Sequence, residues 1–147
     1  MKLHLNISDQ VLEDSVTIEA HSYTRQIAQL TDFIKTLDNP IERLKAKKGE
    51  TVHLLAPQDV YRLVIEDKVV HLKTLDQDFT TAYRLYQVKD LLSTDFLQIS
   101  QSEIINLKQL DHLQVTPNGL VKLILKNGDV TYSSRRYLKA IKEALNL

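Results

Sequence analysis

The chain contains no cysteine and no tryptophan, only three glycines and three prolines, and no net charge. Without cysteine, disulfides and cysteine-based zinc sites are excluded, which fits a reducing compartment. So few glycines leave neither a P-loop nor a dinucleotide-binding fingerprint. Nineteen basic residues balance nineteen acidic ones, so the bulk positive charge of many nucleic-acid binders is missing. No apolar run approaches the ~20 residues of a membrane span, and MKLHLNISDQ lacks a signal-peptide core. A soluble, cytoplasmic protein is expected. The five histidines (His4, His21, His53, His71, His112) show no i, i+4 or HExxH spacing, so no metal site is expected. Ser133-Ser134 near Arg135 offers a hydroxyl and cations, but no nearby His or Asp completes a catalytic constellation. Neither an enzyme, nor a cofactor, nor a small-molecule substrate is expected.

What is present concentrates in residues 119–147, GLVKLILKNGDVTYSSRRYLKAIKEALNL. From Leu120 onward there are six basic residues (Lys122, Lys126, Arg135, Arg136, Lys139, Lys142) against two acidic (Asp129, Glu143). That local imbalance in a neutral chain points to a polyanion. Val121, Leu123 and Leu125 fall on one face of a predicted strand with Lys122 and Lys126 on the other, and Asn127-Gly128 predicts a type I′ hairpin turn. After Ser133-Ser134, Tyr137, Leu138, Ile141, Ala144 and Leu145 form a helical apolar stripe. Arg135-Arg136 falls in the first turn of that predicted helix, where the dipole and the free N–H groups favour anions. An external phosphate would satisfy both. The plainer alternative is a pair of solvated charges, one of them facing Asp129.

Upstream, residues 1–7 alternate Leu3, Leu5 and Ile7 with polar residues, a predicted half-buried strand, and residues 16–18 predict a second. Residues 24–37 predict a helix capped by Ser22 or Thr24 and stopped at Asn39-Pro40. Residues 41–47 predict another strand. Lys47-Lys48-Gly49-Glu50 marks the expected boundary between a strand–helix–strand extension, residues 1–47, and a domain at residues 48–147. Strands are predicted at residues 52–55, 60–65, 69–74, 79–83, 96–99 and 113–115, with turns at Glu66-Asp67-Lys68, Asp76-Gln77-Asp78 and Ser100-Gln101-Ser102. Residues 85–92 predict a short helix and 106–110 a helical turn. Closely spaced strands imply a mainly β, α+β domain with an antiparallel sheet and peripheral helices.

From Phe96 onward, FLQISQSEIINLKQL followed by NGLVKLILKNGDVTYSSRRYLKAIKEAL resembles the LytTR DNA-binding domain of bacterial transcription regulators. The elements that carry the resemblance are Phe96, Ser102, Ile104-Ile105-Asn106, Asn127-Gly128 and Ser133 through Tyr137. LLAPQDVYRLVIEDKVVHLKTL and AYRLYQVKDLL resemble the family's first strands and short helix, so the likeness spans about residues 50–147. It implies a sheet-based domain whose loops, rather than a recognition helix, enter successive major grooves of double-stranded DNA. The family's three base-reading positions then fall on Lys68, Gln101 and Arg135. Gln101 stands where the family often has Asn or Lys, and its amide suits adenine, while Arg135 suits guanine or phosphate. Ser102, Lys108, Ser134, Arg136 and Lys139 would contact the DNA backbone. Asn106 reads as a structural residue, and Lys68 could instead pair with Glu66 or Asp67.

Residues 1–46 are too short for the family's receiver domain. The chain therefore resembles stand-alone LytTR regulators with a short N-terminal extension. That group implies binding to promoter direct repeats, a homodimer on DNA, and a small membrane protein as restraining partner. The rival expectation is a protein-interaction module without direct DNA contact, built on the apolar faces of the N-terminal segment.

Overall fold

One strand organises the architecture. In the computed structural model, which describes residues 1–38 and 42–147, β7 (Glu103–Asn106) is buried at all four positions. Before it come α1 (Arg25–Asp38), β1 (Leu44–Lys48), β2 (Thr51–Leu55), β3 (Arg62–Glu66), β4 (Val69–Lys73), β5 (Asp78–Thr81), α2 (Leu85–Leu91) and β6 (Phe96–Ser100). After it come β8 (Leu110–Val115), β9 (Val121–Leu125), β10 (Val130–Tyr132) and α3 (Leu138–Leu145). Two antiparallel sheets result, one in the order β2-β1-β5-β4-β3-β7-β6 and the other β10-β9-β8. Period-two alternation sends neighbouring residues of β7 to opposite faces. Ile104 enters a core with Leu63, Leu72, Phe79 and the α2 residues Leu85 and Val88. Ile105 enters a second core with Ile99, Leu123 and the α3 residue Ile141.

The mainly β, antiparallel fold with peripheral helices is as the sequence implies, and several local features differ. The first predicted helix is present as α1, and the Thr24 hydroxyl accepts a hydrogen bond from the Ile27 N–H at 3.3 Å, as an N-cap does. Its predicted stop at Asn39-Pro40, and Ile41, lie outside the described residues. Residues 1–7 and 16–18 join neither ladder, and Leu3, Leu5 and Ile7 stay exposed. Alternation supplies a face, but a strand also needs a hydrogen-bonding neighbour, and this chain gives them none. The strand expected at 41–47 is β1, which pairs with β2 along five residues and with β5 at Lys47–Thr80. It therefore belongs to the sheet, and the expected 47/48 divide runs through it.

The type I′ turn expected at Asn127-Gly128 is found instead at the β3–β4 hairpin, where the sequence implied only a turn. Asp67 and Lys68 both have positive φ, 50° and 66°, between paired Glu66 and Val69, so the type I′ hairpin lies there. At Asn127-Gly128 only Gly128 is left-handed, with φ 90°. The Asn127 carboxamide oxygen accepts from the Asp129 N–H at 3.0 Å, and the Leu125 N–H donates to the Asp129 carbonyl at 2.9 Å across three intervening residues. The Asx bond holds Asn127 out of the left-handed region and leaves a bulged three-residue turn. The final helix also starts later than predicted: residues Arg135–Tyr137 form a 3-10 turn and the α-helix begins at Leu138. It ends with left-handed Asn146 and a Leu147 N–H to Lys142 carbonyl bond of 2.8 Å, a Schellman closure.

The two sheets are joined by a buried polar link as well as by Ile105. Thr131 of β10 donates its hydroxyl to Glu103 Oε2 at 2.7 Å. Glu103 Oε1 lies 3.4 Å from Arg62 Nε, close enough for charge attraction but not aligned as a hydrogen bond. Burial pushes the Glu103 carboxyl above its ordinary 4.5, more than the Thr131 bond and Arg62 pull it down. A raised carboxyl value means the folded state holds the proton more tightly than the unfolded one. The resulting stability is complete below 4.5 and is lost as pH rises through the raised value. Urea unfolding of Glu103→Gln should therefore show a shallower decline in stability from pH 4.5 upward than the parent protein. Parallel declines would show that Glu103 is not the responsible group.

Candidate nucleic-acid interface

Three turns meet at one end of the seven-stranded sheet, and backbone hydrogen bonds set their spacing. The Ile65 N–H donates to the Ser102 carbonyl at 2.8 Å, tying the end of β3 to the β6–β7 turn that carries Gln101. The Ser134 N–H donates to the Ile99 carbonyl at 2.9 Å, bringing Arg135 and Arg136 beside the end of β6. Lys68, in the two-residue β3–β4 turn, projects from the same end. The structure thus assembles Lys68, Gln101 and Arg135 from segments spread over half the chain.

Each turn is locally stiffened. Asp67-Lys68 has no spare residue, and the left-handed conformation costs a non-glycine residue about 1–2 kcal/mol. In the β6–β7 turn the Ser102 N–H donates to Ser100 Oγ at 3.3 Å, and the two hydroxyls lie 3.4 Å apart. Before α3, buried Ser133 donates its N–H to the Val121 carbonyl at 2.9 Å, and its hydroxyl accepts from the Val121 N–H at 3.2 Å. Ser133 is thereby fastened to the second sheet while Ser134 is fastened to the first. Sequence reading passed over Ser133 as a positioning residue; its signal was the serine pair directly ahead of the arginines.

Charges on β3, β4 and β5 are paired, and those on the converging turns are not. Lys73 Nζ lies 3.2 Å from Glu66 and 2.5 Å from Asp78, whose other oxygen is 2.9 Å from His71 Nδ1. Burial pulls Lys73 down, but its bonds to Asp78 and Glu66 outweigh that and raise it. Burial pushes Asp78 up, and Lys73 and His71 together bring it below the ordinary carboxylate value. The Glu66, His71 and Asp78 ligand atoms lie within 4.8 Å of one another, and the Lys73 ammonium already supplies the positive charge there. Glu66 being engaged in this way, Lys68 has no ion pair. Among the described residues Lys68, Gln101, Arg135 and Arg136 are exposed and their side chains have no partner, so the Asp129–arginine pair considered above is absent.

The remaining expected contacts divide. Ser102 and Ser134 sit in the converging turns. Lys139 lies on α3 beyond the arginines, with Glu143 4.0 Å away. Lys108 stands apart: it follows Asn106, at the far end of β7 from Gln101, and pairs with Asp95 at 3.4 Å. Asn106 is structural, its amide donating to the Val60 carbonyl at 2.9 Å and its oxygen accepting from the Lys108 N–H at 3.0 Å.

Residues 50–146 match the family described as the LytTr DNA-binding domain. The chain belongs to the LytTR family. Over all 147 residues it is 34% identical to an uncharacterized HTH-type transcriptional regulator of Staphylococcus aureus strain MSSA476, covering 99% of that protein. The corresponding protein of strain MRSA252 is 33% identical with the same coverage. The LytTr DNA-binding domain of a protein described as a methyl-accepting/DNA response regulator from Bacillus cereus has the same fold. Its TM-score is 0.69 at 20% identity, covering 72% of this chain and 98% of that domain. Although the staphylococcal names speak of a helix-turn-helix, the described LytTR fold has none: strands separate α1 from α2 and α2 from α3. The LytTR domain is a DNA-binding domain, and Lys68, Arg135 and Arg136, unpartnered among the described residues, lie on its turns.

The Lys68 backbone and side chain are separable by one substitution. Lys68→Gly relieves the left-handed strain and should leave folding stability unchanged or raise it by up to about 1 kcal/mol. DNA affinity, measured on the same protein, should fall. Undiminished affinity would remove Lys68 from the interface.

Proposed function

We propose that this protein is a sequence-specific transcription regulator that reads promoter DNA through loops in the major groove. Lys68, Gln101 and Arg135 touch bases; Arg136, Lys139, Ser102 and Ser134 hold the phosphates. The observation that carries this reading is the convergence of three stiff turns bearing unpartnered polar and cationic side chains at one sheet end. Free guanidinium and carboxamide groups match the acceptor and donor pairs of guanine and adenine edges. The names of the full-length staphylococcal relatives support the regulatory role. Two copies on a direct repeat would double a footprint that one small domain makes alone. Lys108, held by Asp95 away from the turns, is left out of the interface.

Gel shifts on the DNA upstream of its own gene test the reading. Affinity should fall steeply with salt, because released counterions drive phosphate binding. Absence of any shift at low salt with folded protein would overturn it. Arg135→Ala should cost about 1–3 kcal/mol on a specific site and relax discrimination at one base position. Lys139→Ala should weaken all sequences alike; identical behaviour of the two variants would refute the division between base reading and backbone positioning.

A further inference from the structure

The family match leaves out the first 49 residues, and there an unpartnered strand pattern and an unpartnered sheet edge occur in one chain. Leu3, Leu5 and Ile7 are 83%, 76% and 93% exposed, and Leu12 is fully exposed. Contiguous apolar surface of this kind marks an interaction site. β2 is the end strand of the seven-stranded sheet, so its outer backbone groups face no neighbouring strand. Its Val52 and Leu54 are 61% and 60% exposed. They share a face with Lys45 and Lys47 of β1, which lie directly opposite them in the register.

We propose that residues 2–7 of one copy add as a strand to the open β2 edge of a second copy, forming a reciprocal dimer. The side-chain patterns agree. With Leu3, Leu5 and Ile7 beside Val52 and Leu54, polar Lys2, His4 and Asn6 fall on the face of Thr51 and His53. The charges agree as well. Residues 8–20, which follow the strand, hold Asp9, Glu13, Asp14 and Glu19 and no basic residue. The adjoining face of β1 presents exposed Lys45 and Lys47, with Arg43 just ahead of the strand, and among the described residues these cations have no ion partner. That contrasts with Lys73 and Arg62 of the neighbouring strands, each of which has a carboxylate within 3.4 Å.

Placement favours the second copy over the same chain: residues 8–22 are long enough to reach back across the sheet, but only by being ordered along its whole width, at about 1–2 kcal/mol per residue. Tyr23, Thr24 and Arg25 line a groove with Lys142, Glu143 and Leu147, beside the end of α3. α3 packs on β6, so the N-terminal segment leaves the fold at the opposite edge of the sheet from its own β2. Six strand spacings, roughly 29 Å, separate those edges. Donor strand and acceptor edge on one polypeptide make an isologous two-fold interface, which closes on itself. The pairing uses none of the base-reading residues and is independent of the DNA reading.

The absence of cysteine makes the test direct. Sedimentation equilibrium of the full chain should give a dimer, and Leu5→Glu should weaken it on the order of tenfold or more. Leu5 being exposed, the variant should fold, which circular dichroism checks. Lys45→Glu with Lys47→Glu should weaken the dimer, and adding Glu13→Lys with Asp14→Lys should restore it. Mixing Leu5→Cys chains with Leu54→Cys chains under oxidation should yield disulfide-linked pairs of unlike chains. A monomeric parent protein, or a dimer indifferent to Leu5→Glu, would overturn the proposal. So would an intrachain disulfide as the sole product of the double-cysteine chain. Loss of DNA affinity in the Lys45/Lys47 variant with an unchanged dimer would reassign that row of cations to DNA and also overturn it. Arg135→Ala, which tests DNA reading, should leave the dimer intact.

Discussion

Two adjacent isoleucines, Ile104 and Ile105, hold the molecule together by pointing in opposite directions. Each is fully buried, and each sits in a different apolar core. Fully burying a side chain of this size stabilises by roughly 1.5–3 kcal/mol, so the larger sheet and the smaller one share a short central strand as their common wall. Its flanking residues are recruited to the same end. Glu103 reaches Thr131 of the second sheet, and Asn106 satisfies both a β3-side carbonyl and the turn that follows. A four-residue strand with no exposed position tolerates little drift in register, because a one-residue slip would exchange the two cores.

In the function proposed above, that rigidity lets turns act as readers: Lys68, Gln101 and Arg135 all stand on turns, the elements that in most folds are the least constrained. Here each turn is short, internally hydrogen-bonded, or latched to the sheet by a backbone bond. Lys68, Arg135 and Arg136 are left unpaired, while the charges of β3, β4 and β5 compensate one another. In that reading a DNA duplex meeting this end finds donors free of internal partners on turns whose backbone is already fixed, which lowers the ordering cost of association.

Much of this was legible in the sequence, for identifiable reasons. Alternation in β1 is strict, and β3 and β9 are apolar runs bounded by turns, so the strands follow from residue order, and in β1 the buried face as well. The helical stripe through Ile141 is equally plain. Turn types were less legible. Asn-Gly signals a type I′ turn, yet the Asn127 side chain bonds its own backbone and diverts the geometry, while Asp67-Lys68 adopts that turn without any glycine. The N-terminal alternation reads as a strand because periodicity records a face and says nothing about a neighbour. The site residues were reached through the order of family motifs. Spacing alone would not have united Lys68 with Arg135, since their proximity depends on two long-range backbone bonds. Lys108 shows the converse: a basic residue in the right stretch that points to the other end of its strand.

Ser133 and Ser134 make up a joint one peptide long. One is fastened to β9 of the smaller sheet and the other to β6 of the larger, and Arg135 is the next residue. Lys68 and Gln101 belong wholly to the larger sheet. The distance from Arg135 to the other two is therefore a measure of the angle between the sheets. A tilt of the smaller sheet, acting through β10 or α3, would shift Arg135 relative to Lys68 and Gln101 without touching any of them, in the way a caliper is set from its hinge.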